Sequence, residues 1–292
     1  MNWVFFAVGA SVLVAILTII EKKTLIKEHA MKFSTVLALF NVIISVVYLP
    51  KVNFNISGTA LFFTYIASVF GGLAFLFLAK GVRHTEVSLS SPLLNFGPAV
   101  TAILAFILLH EALSIWQILG IAVLIVGTYV LEVDHSVEHL MDPFKRLIKS
   151  KYVHFIFFAI LMYGLASIVD KHVISNLGIN TFTYLFFAHL FIAFNYFVMI
   201  SIYYGGTKDI VDGIKNSGKY IIIIAVLITL ARLMMLEAIS IALVSLVIPL
   251  KRLSTLFVTI FGGKFFHEKG LKLKIIGCII MLGGVFFVVY PI

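Results

Sequence analysis

Residues 87–127 read VSLSSPLLNFGPAVTAILAFILLHEALSIWQILGIAVLIVG, and residues 244–284 read VSLVIPLKRLSTLFVTIFGGKFFHEKGLKLKIIGCIIMLGG. The stretches align without a gap at an offset of 157 residues. Pro92 falls on Pro249, His110-Glu111 on His267-Glu268, Gly120 on Gly277, Gly127 on Gly284, and Ser88-Leu89 on Ser245-Leu246. At an offset of 149 the start of each half also matches, with Ile19, Glu21 and Lys22 over Ile168, Asp170 and Lys171. An odd number of membrane-length segments separates the copies, so the second copy sits upside down in the bilayer. Inverted repeats of this kind place a binding site between the halves, near the bilayer midplane.

Composition names the solvent. With 62% hydrophobic and 12% charged residues and a mean hydropathy of +1.13, the 292-residue chain is too apolar for a soluble domain. About 20 apolar residues in helix cross a hydrocarbon core of roughly 30 Å. Ten such segments are predicted, at 3–24, 33–49, 58–80, 85–109, 113–131, 153–174, 181–204, 219–239, 241–266 and 271–290. The expected fold is all-α and integral to the membrane: ten transmembrane helices as two inverted five-helix repeats, 1–132 and 152–292, joined by a linker at 133–151. So little chain lies outside the segments that no soluble catalytic domain is expected. The first segment lacks the basic flank of a cleavable signal peptide and is itself part of the repeat. The single Cys278 excludes a disulfide framework within the chain.

Of the 22 Lys and Arg residues, 17 lie near loops that follow odd-numbered segments. The exceptions are Lys51, Lys171, Arg232, Lys251 and Arg252. Excess positive charge marks the cytoplasmic side, which puts both termini outside. The net charge of +9 therefore reflects topology and contact with anionic headgroups, and no nucleic-acid partner is expected. In the linker, Asp142-Pro143 followed by Phe144, Leu147 and Ile148 among basic residues reads as a short amphipathic helix on the cytoplasmic surface, or equally as a solvated connector.

The repeated proline-bearing fourth and ninth segments, each closed by an acidic residue (Glu111, Glu268), and the Gly-spaced fifth and tenth segments carry a resemblance. The chain resembles the drug/metabolite transporter superfamily, of the ten-helix type with two EamA-like repeats, over nearly its full length. That resemblance implies a secondary transporter moving small metabolites by alternating access in the plasma membrane, with no cofactor and no enzymatic activity. Familiar members keep both termini in the cytoplasm, the opposite of what the charge count gives here.

Lys251-Arg252 is the sharpest site signal. At 1.5 Å per residue the pair lies roughly 15 Å into an apolar run that begins near Ile241, too deep to snorkel. Each cation facing lipid there costs about 2.5–3.5 kcal/mol, so the pair should face a polar cavity. Pro249 frees a carbonyl one turn earlier, and Pro92 does the same in the partner helix, making these two helices the expected walls. The first copy has Leu94-Asn95 where the second has Lys251-Arg252, and such one-sided positive charge suits a carboxylate or phosphate. The pair also resembles one that grips phosphate in plastid-type phosphate translocators, which makes organophosphate exchange the alternative. The competing reading has Glu237 or Asp170 neutralise both cations within the protein.

Arg232, Glu237, His189, Tyr163 and Asn95 complete the candidate substrate-binding set with Lys251, Arg252, Pro249 and Pro92. Glu237 could pair with Lys251 or Arg252 or carry a coupling proton, and His189 is either a proton relay or an interhelical hydrogen bonder. The His-Glu pairs read as caps or gates at the membrane surface, and no metal site is expected. Gly120, Gly127, Gly277 and Gly284 should let the fifth and tenth helices pack closely. Lys22 and Lys171 are expected to snorkel to the headgroups. A small metabolite, the bilayer and a coupling proton are the anticipated partners, in a monomer or a homodimer. A channel or membrane scaffold without carrier activity is the alternative of a different class.

Overall fold

The computed structural model describes residues 2–25, 28–83, 94, 96–132, 151–258 and 271–289. Among them the chain is helical throughout, with ten α-helices: α1 Asn2–Leu25, α2 Ala30–Ser45, α3 Gly58–Arg83, α4 Gly97–Leu109, α5 Ile115–Glu132, α6 Lys151–Lys171, α7 Thr181–Tyr203, α8 Thr207–Ile241, α9 Val244–Leu250 and α10 Leu271–Val289. Five stretches are long and apolar enough to cross a membrane: 30–51, 58–81, 152–176, 181–203 and 207–241. Shorter apolar helices lie within α1, α4, α5 and α10. The periodicity in these segments does not select one wet face, because lipid solvates the outside as readily as side chains fill the inside.

The packing repeats the duplication. Helix α1 lies on α8 as α6 lies on α3, α2 lies on α8 as α7 lies on α3, and α4 lies on α6 as α9 lies on α1. The pairs α2–α7, α4–α9 and α5–α10 each join a helix to its own counterpart, which is the contact pattern of a pseudo-twofold relating the halves. The two inverted five-helix repeats are thus written into the contacts as well as the sequence. One apolar core gathers α1, α5, α8, α9 and α10 around Ala10, Leu124, Met235, Val247 and Met281. A second gathers α2, α7 and α8 around Phe33, Val36, Ile200 and Ile224.

The glycine pattern of α5 and α10 marks their closest approach. A methyl group on Gly120 would stand 2.9 Å from the Gly284 carbonyl oxygen and from the Val288 amide, and one on Gly127 would stand 2.7 Å from the Met281 amide. One on Gly284 would meet the Leu124 amide at 2.7 Å. Backbone meets backbone here, an approach that membrane interfaces use to gain dispersion contacts.

Three boundaries differ from the sequence expectation. Helix α8 starts at Thr207, not 219, because its polar first turns (Lys208, Asp209, Asp212, Lys215) continue the helix beyond the apolar run. At 35 residues it is about 52 Å long, well over the roughly 30 Å of hydrocarbon. The second segment ends in a 3₁₀ turn, Val46–Lys51, which contains Pro50. The ninth segment is not one kinked helix, and its interruption builds the site.

Candidate functional site

Around Lys251 and Arg252 the backbone tightens. The amides of Lys251, Arg252, Ser254 and Thr255 each donate to the carbonyl three residues back, at 2.9–3.2 Å. Helix resumes over 253–258. A helix that changes pitch in this way releases a carbonyl, and the Ser11 hydroxyl of α1 lies 3.0 Å from the Leu250 oxygen to take it up. Pro249, buried inside α9, contributes no amide of its own to this turn. Discontinuous helices of this kind are how membrane carriers bring backbone and charge to the midplane.

The two cations of the turn part company. The Arg252 guanidinium donates to the carbonyl of Leu94, three residues ahead of α4. Gly97 makes the approach possible, since a Cβ there would stand 2.9 Å from Arg252 Nη2. Lys251 instead is exposed. The charges that act on its ammonium are Arg232 on α8, the adjacent Arg252, Asp170 on α6 and Glu21 on α1. Among the described residues Lys251 makes no ion pair and no hydrogen bond through its ammonium group.

Arg232 forms the neighbouring wall. Its Nη2 donates to Asp170 Oδ2 at 2.7 Å, with the Asp170 side chain fully buried and that of Arg232 38% exposed. The Tyr184 hydroxyl donates to the other carboxylate oxygen, so Asp170 is held from two sides. Held by Asp170, the guanidinium keeps further N–H donors for its exposed side. Tyr163 of α6 lies within range of both Arg232 and Glu21. Glu21 is half-buried near the end of α1 and, among the described residues, accepts no hydrogen bond and joins no ion pair.

The remaining candidates fall elsewhere. Glu237 accepts a hydrogen bond from the Thr181 hydroxyl at the start of α7 and does not pair with Lys251 or Arg252, so the expected neutralisation from that side is not found. Five residues from Arg232, it projects from a different face of α8. His189 is 6% exposed, with Nδ1 at 2.8 Å from the Ser45 hydroxyl and 3.3 Å from that of Tyr48, joining α7 to α2. Pro92 and Asn95 lie outside the described residues, as do His267-Glu268 and all of the linker but Lys151.

Two polar residues do something other than expected. Glu111 is only 6% exposed and is no surface residue. It accepts from the Val244 and Ser245 amides at 2.9 and 3.0 Å and from the Ser245 hydroxyl at 2.5 Å, so it caps α9, whose own N-cap residue, Leu243, offers no side-chain acceptor. Lys171 does not snorkel. Its ammonium donates to the Ile239 and Ala242 carbonyls at 2.7 and 3.0 Å, closing the C-terminal end of α8. The side chain of Lys22 lies outside the described set.

Sequence reasoning passed over Glu21 and Ser11 as site residues. For Glu21 the signal was present, since it occupies the position in α1 that Asp170 occupies in α6. Among the described residues no three His, Cys, Asp or Glu side chains converge as a metal site would require.

The profile of the EamA-like transporter family matches residues 1–133 and 150–290. A solved crystal structure superposes on 100% of this chain and 99% of its own at a TM-score of 0.76, with 11% sequence identity, a likeness of fold alone. No curated protein matches the sequence.

Proposed function

This chain belongs to the EamA-like transporter family, a multi-pass membrane transporter of the drug/metabolite transporter superfamily, and from that premise we propose that it carries small metabolites bearing an anionic group, amino acids or organic anions, across the cell membrane by alternating access. The supporting observation is Lys251. It is an exposed cation that joins no ion pair among the described residues, within electrostatic range of an Arg232 guanidinium that Asp170 and Tyr184 hold in place. Two cations in range of each other repel, and a carboxylate set between Lys251 and Arg232 offsets that repulsion.

The break in α9 gives the carrier a means of moving. The α4–α9 contact lies on the pseudo-twofold, so rocking one repeat against the other changes which side opens while the charges stay near the centre. No step in this reading makes or breaks a covalent bond. A second reading, exchange of organophosphates, draws on the same two cations.

Counterflow in proteoliposomes tests the proposal. Labelled organic anions and amino acids should accumulate faster when unlabelled substrate is loaded on the opposite side, which a channel does not do. Lys251→Gln should lower that uptake at least tenfold, with normal yield and size-exclusion profile. Undiminished uptake in Lys251→Gln and Arg232→Gln together would refute the anion site. Competition by phosphate monoesters stronger than by carboxylates would favour the organophosphate reading.

A further inference from the structure

Two buried carboxylates of the first repeat reach into the second, one at each end of the bundle. At the end where α8 meets α9, Glu111 takes the Val244 and Ser245 amides and the Ser245 hydroxyl. At the lysine-rich end, Glu28, which lies between α1 and α2 and is 7% exposed, accepts from the Ser217 hydroxyl of α8 at 2.7 Å. Ser217 is itself buried. From Ser217 to the last residue of α8, Ile241, the helix rises about 36 Å, so the two contacts stand on opposite sides of a hydrocarbon core of roughly 30 Å.

Both contacts cross the seam that alternating access has to open. The end of α8 is closed within the second repeat, by the Lys171 ammonium on the Ile239 and Ala242 carbonyls. The start of α9 has no side-chain acceptor in its own N-cap residue, and its cap comes from the first repeat. Moving the repeats apart at that end therefore uncaps α9. At the other end the same motion takes Glu28 from Ser217, beside a partly exposed Lys32–Asp209 ion pair that also joins the repeats. A buried carboxylate suits such a contact. Closed, its lost hydration is offset by donors from the facing repeat; open, water replaces those donors.

We propose that Glu111 and Glu28 are the latches of opposite ends, each closing the carrier toward one side of the membrane, and that transport breaks them in turn. Both are made in this structure, so opening either end costs one contact while the other holds. This rests on the alternating-access part of the reading above and owes nothing to the anion site. Weakening either latch shifts the population toward the state open at that end and away from the state open at the other.

Buried cysteines read the two ends separately. In the full-length Cys278→Ser protein, purified in detergent, Val244→Cys reports on the α9 end, and Ile221→Cys, one turn along α8 from Ser217, reports on the lysine-rich end; both side chains are fully buried. A soluble maleimide should modify Val244→Cys on the order of tenfold faster once Glu111→Gln is added, the population shift that one charge-assisted hydrogen bond sets, and should modify Ile221→Cys more slowly. Ser217→Ala should do the reverse. Ser245→Ala, which removes the hydroxyl and keeps both amides, should act as a weaker Glu111→Gln and takes its place should that variant fold poorly. Contacts that only hold the fold would quicken both reporters together in either variant. That result, a reporter that moves without the other moving the opposite way, or no change in any variant overturns the proposal. Counterflow that persists beside such a result leaves the carrier standing, whereas opposed shifts with no counterflow of organic anions or amino acids refute the cargo and keep the latches, so the two readings fail separately.

Discussion

Glu111 shows what one carboxylate can do from a distance of more than 130 residues in sequence. It meets two amides and a hydroxyl at the start of α9. A helix beginning inside a membrane protein has no water for its first amides, and each left unsatisfied costs roughly 1–3 kcal/mol. Glu111→Ala should therefore destabilise the protein by about that amount or more, seen as a lower thermal midpoint in detergent, and should weaken binding because α9 carries Lys251. Glu111→Gln, which keeps one acceptor, should lose less. A midpoint unchanged in both variants would mean that the cap contributes nothing. The sequence shows that Glu111 is acidic and repeated at Glu268, but a cap joining α4's far end to α9 is a tertiary fact, and no local pattern encodes it. The same holds for Lys171, whose acceptors lie some 70 residues away on α8. Counting residues from Ile241 sets Lys251 and Arg252 at one depth and could not part the two.

Helices α5 and α10 bring a sharper test, because adjacent glycines on α10 face different surroundings. Gly284 abuts the Leu124 amide and the Gly120 carbonyl, whereas a Cβ on Gly283 would have nothing within 4 Å. Gly284→Ala must push two backbones apart, since neither partner is a flexible side-chain end. It should cost several kcal/mol on the scale of overpacked cores, and folded yield should fall. Gly283→Ala should be neutral or stabilising by about 0.5–1 kcal/mol, because alanine loses less backbone entropy in a helix. Equal thermal midpoints for the two variants would rule out the close approach. This interface was readable from the seven-residue glycine spacing, since a repeated small residue on one face of a membrane helix has few other uses. The break in α9 was less readable. Proline announces an irregularity, but the 3₁₀ turn falls after Pro249, at Lys251–Arg252, where Ser11 of α1 and the Leu94 carbonyl ahead of α4 supply the partners.

At the scale of the whole molecule the duplication fixes the relation between the halves, while charge selects which way the assembly faces the cell. Helix α8 extends about 52 Å and carries Lys208, Asp209, Asp212, Lys215 and Lys219 on its first turns, with Lys32 of α2 bound to Asp209 at 2.8 Å. That end is rich in lysine, and the opposite end, around Asn53, Asn55 and Asn180, is neutral and polar apart from Lys51. Basic residues resist translocation, so the lysine-rich end should be cytoplasmic and both termini outside. In a Cys278→Ser background, Asn55→Cys should react with a membrane-impermeant maleimide in intact cells, and Lys208→Cys should react only after permeabilisation; both positions are exposed and outside the apolar runs. Reaction of Lys208→Cys alone in intact cells would reverse the orientation without disturbing the fold. Reaction of both from the same side would break the inverted pairing itself. An odd number of crossings separates these sites, so only the opposite-side outcomes are compatible with ten alternating helices.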